Sequence, residues 1–278
     1  MTFLSPREAA LMAAEATILD ARGRAMWSLG HIPGSVPLHW RQLTANPRKL
    51  RDGLLTDDLG TIRQVLRGAG VSQRKPVIIV DRGLSGFGEA GRLFWTLDYF
   101  SHPAVYILDG GLKRWPGSLK RALRVPAVSR GDFEPMPRPE RRALLAEVEA
   151  AQGDEDVVIW DTRTPEEYLG ATPYLESRGG HIPGAISLDY KNLLDVEGNR
   201  KQSAALDALL ARIGATPDKR VILVCSGGVR SAAAYAVLRS LGRRNVANYD
   251  GSMWEWSRHP NLPIHTGPGQ PLLTAAEE

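Results

Sequence analysis

Four short patterns occur twice in this chain, in the same order, and that repetition constrains its fold more than any other feature of the 278 residues. Ile18-Leu-Asp20-Ala-Arg22 returns as Ile159-Trp-Asp161-Thr-Arg163, and Gly30-His31-Ile-Pro-Gly34 returns as Gly180-His181-Ile-Pro-Gly184. Further along, Val77-Ile-Ile-Val80-Asp81-Arg-Gly is matched by Val221-Ile-Leu-Val224-Cys225-Ser-Gly, and Leu108-Asp109-Gly by Tyr249-Asp250-Gly. The offset of about 140 to 150 residues is far longer than a solenoid repeat, so the duplicated unit is a whole domain. A chain of this length holds roughly two domains, each long enough to bury its own core. The expected limits are 1–125 for the first domain, 126–140 for a linker with prolines at 126, 135, 137 and 139, and 141–278 for the second domain.

Within each unit, short apolar runs alternate with helical stretches. In the second unit the expected strands are 157–160, 185–188, 221–224 and 246–249, and the helices between them are 165–168, 203–213 and 231–241. Such alternation predicts an α/β fold, each unit a mostly parallel central sheet with helices on both faces. Ligands on such sheets bind beyond the carboxyl ends of the strands.

The only cysteine, Cys225, stands at one of these strand ends. Val221 to Val224 read as a buried parallel strand. Ser231 to Leu241 reads as a helix with Ala233, Val237 and Leu241 on one stripe and Gly242 as its stop. Between them Ser226, Gly227, Gly228, Val229 and Arg230 form a tight loop, in which the glycines let backbone amides turn inward and the following helix adds the positive end of its dipole. Helix N-termini and cations bring a thiol from about 8.5 to roughly 3.5–7.5, so Cys225 is expected to be a thiolate nucleophile near neutral pH. The bland alternative is a buried structural cysteine. The duplication supplies an internal control, because the matching strand of the first unit ends in Asp81 and the fold therefore does not require cysteine there.

Asp161 and Arg163 are expected to be ion-pairing or capping groups, and His181, whose motif also occurs in the unit without cysteine, is expected to belong to a turn. Arg178 sits where a guanidinium could fork onto a carboxylate or sulfonate, which makes it a candidate donor-binding group. Trp254 and Trp256 are expected in the core or between domains, with a roof over the site as the alternative for one of them. The net charge of +4 comes from scattered Lys and Arg without aromatic interleaving, so no nucleic-acid partner is expected. A single cysteine excludes an intramolecular disulfide framework and any CxxC metal pattern. With no leader-like N-terminus and no apolar stretch of membrane-spanning length, the expectation is a cytoplasmic protein without a membrane partner.

Taken together, Gly-His-Ile-Pro-Gly in both halves, the Asp161-Thr-Arg163-Thr-Pro-Glu-Glu-Tyr168 segment, the Cys225 loop and the closing Tyr249-Asp250-Gly-Ser resemble the rhodanese family, in particular its tandem-domain thiosulfate and 3-mercaptopyruvate sulfurtransferases. The resemblance covers nearly the whole chain. It implies two rhodanese-like domains, the first inactive because Asp81 cannot carry sulfur, the second catalytic through Cys225. It further implies transfer of a sulfane sulfur from a small anionic donor, through a Cys225 persulfide cradled by the amides of Ser226 to Arg230, to a thiol, cyanide or thioredoxin-like acceptor, with no cofactor and no metal. The loop departs from the two-cation pattern of thiosulfate-using members. Its Cys225-Ser-Gly-Gly-Val229 run is closer to that of mercaptopyruvate-using members, Arg230 is typical of single-domain rhodaneses, and Glu167 stands where tandem enzymes often carry a donor-binding arginine. The remaining alternatives are a phosphatase-like enzyme, although Cys225 to Arg230 is one residue shorter than that family's Cys-x5-Arg loop, and a non-enzymatic sulfur-carrying or binding module.

Overall fold

The computed structural model describes residues 2–83, 86–125 and 127–268; the expected limits at residues 1, 126 and 278 lie outside them. The first half runs β1 (Phe3–Leu4), α1 (Pro6–Met12), β2 (Thr17–Asp20), α2 (Gly23–Leu29), β3 (Val36–Pro37), α3 (Leu59–Gly68), β4 (Val77–Val80), α4 (Glu89–Tyr99) and β5 (Val105–Leu108). The second runs β6 (Arg142–Ala143), α5 (Leu145–Ala150), β7 (Val157–Asp161), α6 (Pro165–Leu169), β8 (Ile186–Ser187), α7 (Ser203–Arg212), β9 (Arg220–Val224), α8 (Arg230–Ser240), β10 (Val246–Tyr249) and α9 (Ser252–Trp256). Each half forms a five-stranded sheet, in the orders β1-β5-β4-β2-β3 and β6-β10-β9-β7-β8, and every strand pair is parallel.

The strand sequences account for their places. Val77-Ile-Ile-Val80 and Val221-Ile-Leu-Val224 have no polar alternation, and β4 and β9, which they form, are flanked by strands on both sides and buried on both faces. Edge strands β1, β3, β6 and β8 are only two residues long, shorter than the apolar run 185–188 alone predicts. Helix α6 begins with a capping box in which Thr164 accepts from the Glu167 amide and the Glu167 carboxylate accepts from the Thr164 amide. The segment between the sheets is held against the first half, with Phe133 buried, Gly131 donating to the Arg67 carbonyl, and Arg63 and Arg67 both paired with Glu134.

Helix α8 departs from the single-stripe reading. Arg230 through Leu238 are all buried, and Leu241 lies just past the helix end. The reason is that α8 packs on its own sheet with one face and on α4 of the other half with another. Small residues make that approach possible: a β-carbon on Gly91 would lie 2.4 Å from the Ala233 Cα, and one on Gly88 2.6 Å from the Ala233 Cβ. One apolar cluster therefore runs through both halves, taking Leu93, Phe94 and Trp95 from α4 together with Ala232, Tyr235 and Ala236 from α8. The contacts flanking it are paired across the duplication. Asp250, after β10, accepts from the Leu55 amide at 2.6 Å, while Asp109, after β5, accepts from the Arg200 amide at 3.4 Å. Arg142 strengthens the first of these by bonding Asp250, Asp57 and the Leu55 carbonyl.

Gly91→Val tests this packing. Forcing a branched side chain onto the Ala233 backbone should cost about 1–3 kcal/mol or more, read as a lower thermal midpoint of unfolding. An unchanged melt would mean that the two helices separate freely and that the shared core does not depend on their closeness.

Candidate active site

Cys225 leaves the carboxyl end of β9 and enters the loop that opens α8. Its Sγ accepts from the Gly228 amide at 3.1 Å and from the Ser231 hydroxyl at 3.5 Å. The first turn of α9 holds the loop from behind: Met253 and Trp254 donate their amides to the carbonyls of Cys225 and Ser226, and the Ser252 hydroxyl accepts from the Cys225 amide. Gly228 adopts φ +75°, and a β-carbon there would come within 2.4 Å of an Arg92 nitrogen and 2.6 Å of the Asp250 Cα. Burial pushes the Cys225 thiol up, but the Arg230 charge and the hydrogen bonds from Ser231 and Gly227 outweigh it and hold the thiol below its usual value.

Arg230 is committed to a partner. Its two terminal nitrogens reach the Glu167 carboxylate at 2.6 and 2.7 Å, Ser226 Oγ lies 2.8 Å away, and the guanidinium stands 4.9 Å from the Tyr174 ring centroid. Burial pushes the Glu167 carboxyl up, but hydrogen bonds from Arg230 and its charge outweigh this and hold it below the usual carboxylate range. The loop thus contains a buried ion pair in place of an isolated cation.

The cysteine opens onto a cavity of about 280 Å³ built by both halves. The second half contributes Cys225, Ser226, Gly227, Val229, Arg230, Tyr174 and Trp254; the first contributes His39, Trp40, Arg41, Phe87 and Glu89. Arg41 is fixed by donating to the Lys49 and Leu50 carbonyls, 4.6 Å from the Trp40 ring centroid and 5.9 Å from that of Trp254. Burial and then the Arg41 charge push the His39 imidazole down, leaving it uncharged near neutral pH.

The remaining sequence candidates lie elsewhere. Arg178 donates to the carbonyls of Ser257, His259 and Leu262 and is not among the described residues lining the cavity. His181 is buried, bonded to the Tyr168 carbonyl through Nδ1 and stacked 3.5 Å from the Tyr168 ring. Arg163 forks onto Asp161 and donates to the Gly180 carbonyl, tying two of the repeated motifs together. Of the two tryptophans, Trp256 is core and Trp254 lines the cavity. The first-half wall was missed by sequence reasoning. A signal existed in the repeat: the short 3₁₀ turn 40–43 with its cap reads His39-Trp40-Arg41, whereas its copy at 190–193 reads Asp189-Tyr190-Lys191.

In the first half Asp81 takes the place of Cys225, and its carboxylate accepts from the Gly83 amide at 2.7 Å and the Ala90 amide at 2.9 Å. Burial pushes its carboxyl up to about 7. The space beside it amounts to about 10 Å³. That cradle is filled by the protein's own acid.

The family model described as Rhodanese-like domain matches residues 5–118 and 144–259. The chain is 32% identical to the thiosulfate sulfurtransferase of Pseudomonas aeruginosa, over 94% of each protein, and 31% identical to that of Azotobacter vinelandii, over 92% of this chain and 93% of the relative. Among solved structures, the 3-mercaptopyruvate sulfurtransferase SseA of Escherichia coli superposes with a TM-score of 0.78 at 29% identity, covering 91% of this chain and 99% of that one.

Glu167→Gln should separate the roles of the ion pair. Leaving Arg230 buried without its carboxylate should cost about 3–5 kcal/mol at neutral pH. Because the folded Glu167 carboxyl is depressed, its contribution is complete above roughly pH 4.3 and lost as pH falls through the folded value, so chemical denaturation of the two proteins should converge in acid. The same change should lower the Cys225 thiol further, read as faster alkylation at mildly acidic pH. Equal stability of both proteins at neutral pH would contradict the pairing.

Proposed function

We propose that this chain, which belongs to the rhodanese-like family, is a sulfurtransferase that carries a sulfane sulfur on Cys225. The observation that supports this best is the placement of one thiol, held toward thiolate by Arg230 and loop hydrogen bonds, at the wall of a cavity that both halves close. Donor and acceptor use the same cavity in turn. The thiolate attacks the outer sulfur of thiosulfate, the S–S bond of the donor breaks, and sulfite leaves with the bonding pair, giving Cys225–S–S⁻. An acceptor nucleophile then takes the outer sulfur and returns Cys225 as thiolate. With 3-mercaptopyruvate the C–S bond breaks and the pyruvate enolate takes a proton. The loop amides at Ser226 to Arg230 act as the cradle for the persulfide charge.

The charge distribution favours a donor oriented by Arg41. Arg230 is already paired with Glu167 through two hydrogen bonds, whereas the hydrogen bonds of Arg41 go to carbonyl oxygens, with Asp52 acting on it through charge. The donor's sulfonate or carboxylate therefore faces the first half while its sulfur faces Cys225. Among the described residues no helix is long and apolar enough to cross a membrane.

Incubation with thiosulfate or 3-mercaptopyruvate should add the mass of one sulfur atom to the intact protein, and Cys225→Ser should abolish the gain. No adduct from either donor, together with hydrolysis of an aryl phosphate, would overturn the sulfurtransferase reading. Arg41→Gln should lower kcat/KM for the donor about 10- to 150-fold, the loss of one charged hydrogen bond, chiefly through KM. An unchanged KM would remove Arg41 from donor binding.

A further inference from the structure

We propose that Arg92, on the half that lacks the cysteine, is a positioning residue that holds the Gly228–Val229 peptide with its N–H turned into the Cys225 loop. Arg92 is the fourth residue of α4 and is 1% exposed. Its guanidinium crosses to the second half, donating to the Gly228 carbonyl at 3.0 Å and, on its own half, to the Gly53 carbonyl at 2.5 Å. Asn248 of β10 donates to the same Gly228 carbonyl at 3.2 Å. Two donors therefore draw that carbonyl away from the loop's interior. Across a trans peptide the C=O and N–H point in opposite directions, and no described peptide is cis, so the Val229 amide points away from these two donors, which in this proposal is toward the sulfur. A cation on the carbonyl oxygen also polarises the peptide and makes that N–H a stronger donor to an anion.

Two further features support the assignment. The arginine is held rigidly, its guanidinium carbon 4.6 Å from the Trp95 ring centroid and 5.5 Å from that of Trp40. Burial pushes its guanidinium down to about 10, which keeps it charged at neutral pH. The duplication supplies the comparison: the fourth residue of α8 is Ala233, so the loop around Asp81 meets a methyl group where the loop around Cys225 meets a guanidinium. The arginine is present only opposite the half that has a thiol to stabilise.

The inference rests on the persulfide reading for its purpose, but its test needs no sulfur donor. The rate of Cys225 alkylation by iodoacetamide is followed against pH in the full chain, for the unchanged protein, Arg92→Met and Arg92→Lys. The charged groups around the thiol are Arg230 with Glu167, Arg92 with Asp250 and Arg142 behind it, and Arg41 and Glu89 across the cavity with neutral His39. Arg92→Met leaves the others in place, so its profile should move to higher pH by about one unit, with alkylation roughly tenfold slower on the acidic side and equal rates once the thiol is fully ionised. Arg92→Lys, which keeps the charge but cannot fork onto both carbonyls, should shift in the same direction by less, and it decides alone if Arg92→Met does not fold. Profiles that superpose on that of the unchanged protein overturn the proposal. A missing sulfur adduct in the unchanged protein would instead overturn sulfur transfer, so the two failures are distinguishable.

Discussion

The contact between α4 and α8 is the constraint on which the rest of the structure depends. Gly88, Gly91 and Ala233 remove the side-chain bulk that would hold two helices apart, and the resulting closeness merges two sheets into one shared core. It also sets how the loops at the N-termini of both helices face each other. Because the loop that begins at Cys225 leads into α8, the approach of α4 brings first-half residues to the cysteine, and the cavity at this point takes its wall from both halves. Asp250 and Asp109, reaching across on the two sides, fix the remaining freedom.

Charge within the site is allotted unequally for the same reason. Arg230 is local to the loop and is met by Glu167 from α6, whose capping box places that carboxylate at the start of the helix beside the cysteine. Arg41 and Arg92 arrive from the other half and direct their hydrogen bonds to carbonyl oxygens, while the acids near them, Asp52 and Asp250, act through charge at longer reach than Glu167 acts on Arg230. The proposed sulfur transfer requires that a thiolate, a donor anion and a persulfide each be accommodated in turn. Arg230 is hydrogen-bonded to its acid, whereas the hydrogen bonds of Arg41 and Arg92 go to carbonyl oxygens, which separates holding the loop together from meeting the changing charge.

Much of this was legible in the sequence, for identifiable reasons. The order of β7 to β10 and of α6, α7 and α8 followed from apolar runs and glycine stops, and the place of Cys225 at a strand end before a helix, with Asp81 at the matching place, followed from the repeat. In the second half β8 was legible as the longer run 185–188, whereas β6, α5 and α9 were not, because such short elements carry little periodicity. The all-round burial of α8 was hidden by its alanines, which read as helix propensity when their role is close packing. Arg178 was attractive as a loop guanidinium, yet its neighbours' carbonyls claim it. The cavity wall at His39 to Arg41 lies far from Cys225 in the chain, and only tertiary packing joins them.

The pairing of α4 with α8, and of Asp250–Leu55 with Asp109–Arg200, is the arrangement that two identical chains would present across an isologous interface. In such a symmetric dimer every substitution appears twice, so both cradles must be served alike. Covalent fusion lifts that obligation. Position four of one interface helix is arginine and of the other alanine, and one cradle holds a thiol while the other is closed by a carboxylate. What two-fold symmetry would enforce as two equal compromises, a single chain resolves into one cradle that opens onto a cavity and one that its own carboxylate closes.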